Sequence, residues 1–128
     1  MKNFVDRTVK PFLVIAGLCT AIAGVSAFLP QFAVENLLKL PFAENYTIIV
    51  QHWGMMILLV GIFMIISAFK IAWRIPFLLY SAIEKAFMVF LYIFNASRPF
   101  SAGFQGAAIM DGIIVIYLIL YFWTLREK

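Results

Sequence analysis

Pro76–Phe94, PFLLYSAIEKAFMVFLYIF, decides how the chain is read. The stretch is continuous and apolar, and close to the roughly 20 residues a helix needs to cross a bilayer. Yet Glu84 and Lys85 stand in its middle. An ionisable side chain at that depth costs about 2.5–3.5 kcal/mol on insertion scales, so it is turned toward protein or a water-filled cavity. The rest of the chain is therefore expected to supply the helices that shelter this pair.

Composition agrees. Of 128 residues, 65% are hydrophobic and 12% charged, against about 45–50% and 25% in soluble domains. The length suits one integral membrane domain, 1–128. The net charge of +4 sits in short flanks, not in a basic stripe interleaved with aromatics. That distribution points to membrane orientation and away from nucleic acid. Cys19 is the chain's single cysteine, so no intrachain disulfide and no cysteine metal site can form. It reads as a small apolar core residue.

Working outward, three more apolar runs appear. The first, about 11–29, follows Lys2, Arg7 and Lys10 and ends near Val25-Ser26-Ala27, a pattern shared with signal peptides. Its length fits a span better than a signal-peptide core, so a retained first helix is expected, opened by Pro11 in its first turn. The other runs are about 47–69 and 106–125, on either side of 76–94. None alternates as a membrane β-strand would. Small residues recur at helical spacing in the first run (Gly17, Ala21, Gly24; Ala16, Thr20, Ala23, Ala27) and every seven residues in the second (Gly54, Gly61, Ala68). Such faces let helices approach closely, within the bundle or in a homo-oligomer. Between the first two runs, Pro30–Tyr46 mixes Phe32, Val34, Leu37 and Leu38 with Glu35, Asn36 and Lys39, a short amphipathic segment stopped by Pro41. It reads as a connector; a lid over a pocket is the alternative. Lys70–Ile75 is so short that the second and third spans must be antiparallel neighbours. The fold expected is an all-α membrane protein, an antiparallel four-transmembrane-helix bundle. Lys2, Arg7, Lys10, Lys70, Arg74, Arg126 and Lys128 fall on one side, and Lys39 and Arg98 on the other. The positive-inside rule then puts both termini in the cytoplasm of a bacterial inner membrane.

Depth organises the polar residues. At 1.5 Å per residue, Glu84 and Lys85 lie about 12–14 Å into the third span. Asp111 lies about 7–8 Å, and His52 about 6–8 Å, below the opposite boundary. Lys85 can stretch its stem toward that level, so Lys85 is expected to pair with Asp111. Glu84 is left to His52, Gln51, Tyr80 or a hydroxyl such as Thr20. With His52 neutral, the charges of Glu84, Lys85 and Asp111 sum to −1, so one proton is expected to be shared within the cluster. A single histidine makes a weak transition-metal site, and no metal is expected. No phosphate loop, nucleotide fingerprint or nucleophile elbow is present.

Four spans, His52-Trp53-Gly54 opening the second, Arg74-x-Pro76 before the third, Glu84-Lys85 within it and Asp111 early in the fourth together resemble the small bacterial DoxX-like membrane proteins. That resemblance implies an accessory subunit of a quinone-linked membrane oxidoreductase, or simply a small membrane protein. A looser likeness to emopamil-binding-type proteins implies sterol isomerisation by intramembrane acids and a histidine, but no catalytic residue can be carried across. Two functions follow as expectations. The first is a non-catalytic accessory or scaffold subunit of a larger membrane assembly, with lipid or quinone contact through His52, Glu84, Lys85, Asp111, Gln51 and Tyr80. The second is an intramembrane binder or isomerase of a hydrophobic small molecule, such as a lipid, a quinone or a sterol-like compound. Membrane lipids, other membrane subunits or further copies of the chain are the expected partners, with no cofactor beyond a bound lipid or quinone.

Overall fold

The computed structural model describes residues 2–126. Lys128, counted above among the positive charges of one side, lies outside the described residues. Four long helices dominate: α1 (Lys2–Ala23), α2 (Thr47–Phe69), α3 (Ile71–Asn95) and α4 (Gln105–Arg126). Each is long and apolar enough to cross a membrane. They form a ring in chain order, α1 against α2, α2 against α3, α3 against α4, and α4 back against α1. Lys2, Arg126 and the α2–α3 turn share one end of the bundle, called proximal here. The connections 28–46 and 96–104 share the other, distal end.

Two boundaries differ from the sequence reading, and both involve proline. Pro11 does not open the first helix; it sits inside α1, which already begins at Lys2. Pro76 likewise sits inside α3, which begins at Ile71. A proline inside a helix removes one hydrogen bond and crowds the carbonyl four residues earlier. Pro11 and Pro76 are both on exposed positions near the proximal end. The N-terminal extension of α1 is held by packing, because Val5, Val9 and Leu13 are buried in the main core. The early start of α3 has its own cause. Arg74 donates from Nε to the Ser67 carbonyl (2.8 Å) and from Nη2 to the Ala68 carbonyl (3.0 Å). Those are carbonyls of the last turn of α2, which have no partner within their own helix. With the arginine fork filling them, the turn shrinks to Lys70 alone.

The small-residue faces are consumed between α1 and α2. A methyl group added at Gly17 would stand 2.7 Å from the Gly61 carbonyl, and one at Gly24 would stand 2.7 Å from the Leu58 nitrogen. Added at Gly61 it would strike Ala21 and Gly17, and at Gly54 it would strike Ser26 and Ala27. The backbones approach closely at these glycines, as small residues allow. The proximal half of the bundle is dry and filled. Val9, Leu13, Met64, Leu78 and Leu118 are buried there. The Phe12 ring stacks on Tyr117 at 3.7 Å between centroids, and the Tyr117 hydroxyl shares a 2.8 Å hydrogen bond with Thr8 Oγ1. This pins α1 to α4 at the proximal end.

At the distal end α1 tightens into a 3₁₀ turn, Gly24–Ala27. A short helix, Pro30–Phe32, follows and continues as a π-helical turn, Ala33–Leu37. Lys39 then takes a left-handed backbone (φ 56°), which ends the segment. Leu38 meets Gly103 so closely that a methyl group on that glycine would overlap the Leu38 carbonyl. Gly103 belongs to a 3₁₀ helix, Pro99–Phe104, that leads into α4. The two connections therefore lock together across the distal end.

The α1–α2 contact makes a specific prediction. Gly61→Val should lower stability by about 1–3 kcal/mol through overpacking. Gly106→Ala should leave it unchanged, because an added Cβ there meets nothing within 4 Å. Thermal unfolding of the two variants in the same detergent checks the contrast.

Candidate functional site

The buried charges pair as their depth suggests. Lys85 Nζ donates to Asp111 Oδ1 at 2.6 Å, with the two side chains 3% and 8% exposed. Lys85 lies about 15 Å from the distal end of α3, and Asp111 about 9 Å from the distal start of α4. The lysine stem spans that difference along its length. A short, charge-assisted bond is the arrangement that offsets the cost of removing both ions from water. Glu84 is the next residue on α3, about 100° around the helix. It is half-buried and has no hydrogen-bond partner among the described residues.

The pair stands on the wall of a cavity of about 370 Å³ lined by all four helices. From α1 come Cys19, Thr20 and Ala23, with Ser26 just beyond; from α2, Trp53 and Ile57; from α3, Glu84, Lys85 and Met88; from α4, Ala107, Met110 and Asp111. Ala33, Leu37 and Leu38 form the distal wall with Gly103 and Phe104. The amphipathic segment is therefore more than the connector expected; it closes one end of a chamber. The packing of Leu38 on Gly103 holds it in that place.

The hydroxyls of the bundle divide into two groups. Thr8, Ser67, Ser81 and Thr124 each donate to a carbonyl of their own helix, three or four residues earlier. Hydroxyls in apolar helices are commonly satisfied in this way. Thr20 and Ser26, each 1% exposed, do otherwise. Thr20 Oγ1 and Ser26 Oγ are buried without a hydrogen-bond partner among the described residues, and both residues line the cavity. An unsatisfied buried hydroxyl costs on the order of 1–3 kcal/mol. Two at one chamber, with a half-buried carboxylate and an ion pair, place polar groups along the wall of an otherwise apolar space.

Three residues expected in the cluster are placed elsewhere. His52 is exposed and does not line the cavity. The cause is helical phase: Gly54 is locked against Ser26 and Ala27 of the α1 end, and His52 is about 200° around α2 from it. His52 therefore faces away from the bundle and takes no part in proton sharing with Glu84. Gln51 is half-buried, again outside the cavity lining. Tyr80, one turn before Glu84, is 51% exposed and points outward. Cys19 is not a core thiol either. It is exposed and stands on the cavity's edge. Among the described residues, no three His, Cys, Asp or Glu side chains converge as a metal site would require.

Ser26 and Trp53 belong to the site and were missed in the sequence. Ser26 reads there as part of a small-residue end, and nothing marks the tightening of α1 that carries it inward. No family model, curated protein or solved structure matches the chain.

The ion pair predicts an asymmetric response. Lys85→Met alone should destabilise the bundle by about 3–5 kcal/mol, because it strands a buried carboxylate. Adding Asp111→Leu should recover most of that loss. A double-mutant cycle of unfolding in mixed micelles measures the coupling.

Proposed function

We propose that the chain is a small multi-pass protein of a bacterial inner membrane whose cavity holds the polar head of an amphipathic molecule. The ligand class is a lipid, a quinone or a sterol-like compound. The observation that carries this reading is the pair of unsatisfied hydroxyls, Thr20 Oγ1 and Ser26 Oγ, on the wall of an apolar chamber. A ligand head with hydrogen-bonding groups would satisfy both. Lys85 spends one N–H on Asp111 and retains two further donors. A size of about 370 Å³ is at the small end of ligand cavities, which run about 300–1,000 Å³. Apolar walls with a few convergent polar groups are the usual makeup of such sites.

Binding is favoured over isomerisation. The catalytic alternative pairs Glu84 with His52, which stands outside the chamber, and Asp111 is held in its bond to Lys85. A ligand-holding bundle of this size also suits an accessory subunit of a larger assembly, as the DoxX-like resemblance implies. Charge asymmetry supports cytoplasmic termini, which would place the cavity in the outer half of the membrane.

Protein purified in mild detergent should carry a near-stoichiometric amphiphile, detected by native mass spectrometry and named after solvent extraction. Thr20→Val with Ser26→Ala should lose it while keeping the thermal transition. Wild-type protein free of any such molecule, and unable to take one up from added lipid extract, would contradict the proposal. Partner chains that stay bound through the same purification would support the accessory role.

A further inference from the structure

The cavity has an opening on the apolar flank of the bundle, where a lipid would arrive. Its distal end is walled by Ala33, Leu37 and Leu38, locked against Gly103. Its proximal side ends on the dry core, where the Phe12–Tyr117 stack and the Thr8–Tyr117 hydrogen bond join α1 to α4. Between the distal halves of α1 and α4 the situation reverses. Cys19, Ala23 and Gly106 line the cavity and are also exposed on the bundle's outer surface. Leu37 and Trp53 also line the cavity and reach the surface, but each is a large side chain that fills its place in the wall. The side chains at this gap are small, and a methyl group added at Gly106 would meet nothing within 4 Å. The face around the gap is lipid-like: Ile22 is 72% and Ile109 57% exposed, as suits residues turned to acyl chains.

We infer, resting on the binding role above, that the ligand reaches the cavity sideways from the bilayer through the gap between the distal halves of α1 and α4. It stays with its polar head at Thr20 and Ser26 and its hydrocarbon chain lying in the gap. The ligand class is thereby narrowed to an amphiphile that resides in the membrane. The chamber accommodates a head group, not an entire two-chain lipid, so the chain must remain outside. The unpaired Thr20 and Ser26 hydroxyls supply the independent sign of a ligand at the inner end of this path. The groups left without partners are uncharged hydroxyls, Thr20 Oγ1 and Ser26 Oγ, which suit a neutral, hydroxyl-bearing head.

The test uses the full chain in lipid nanodiscs and a monoacylglycerol carrying a photoactivatable diazirine midway along its chain. After irradiation, mass spectrometry maps the adducts. Wild type should be labelled at Ile22, Ala23 and Ala107, beside the gap. Gly106→Phe places a ring in the opening at a position with room for it, and should lose these adducts while keeping the wild-type thermal transition. Ala23→Phe, from the opposite side of the gap, should do the same and serves if the first variant fails to fold. Adducts concentrated on Leu37 and Leu38, or unchanged labelling in both variants, would overturn the lateral route and leave the binding role standing. Wild-type protein that takes up no probe and no other amphiphile would overturn both.

Discussion

The 2.6 Å bond between Lys85 and Asp111 is the constraint to which the remaining structure answers. A lone ion at this depth is expensive, and its companion must come from another helix at the same level. That requirement fixes the rotation of α3 and α4 and their relative height. It also fixes where Glu84 goes, since the adjacent residue on a helix cannot share its neighbour's direction. Glu84 is left at the cavity wall as a consequence of Lys85 being buried against Asp111.

The bundle divides its tasks along its length. The proximal half is a conventional packed core, with Tyr117 joining α1 to α4 through a stack and a hydrogen bond. The glycine contacts between α1 and α2 bring two backbones together and leave no room for further side-chain atoms there. Space is thus removed from one side of the ring and left on the other. It collects in the distal half, where α1 and α4 no longer touch closely and where the 3₁₀ and π-helical turns carry the chain across the top. Rigidity at one end permits a chamber at the other.

Much of this was legible in the sequence. Four long apolar runs and short polar breaks are enough for the span count. The Lys85–Asp111 pairing follows from depth, because an antiparallel bundle ties sequence position to height. Rotation about each helix axis was less legible. His52 lies at a suitable depth but on the wrong side of α2, and the side was set by Gly54, whose partner surface on α1 the sequence does not name. Pro11 and Pro76 mislead for a related reason. Proline marks a local preference for a helix start, while Val5 and Val9 packing, and the Arg74 cap, extend the helices past it. Ser26 and Trp53 enter the site through the tightened end of α1 and the crossing of α2, which are properties of the assembled bundle.

The bundle and its cavity both depend on charges that face one another inside the protein when it is surrounded by lipid. Solid-state NMR on the chain in bilayers, with ¹⁵N at the Lys85 side chain and ¹³C at the Asp111 carboxyl, measures that directly. A strong dipolar coupling between Nζ and the carboxyl carbon is predicted. A coupling too weak for direct contact, with the Lys85 ammonium instead close to lipid phosphate, would contradict the shared pair and the cavity built around it.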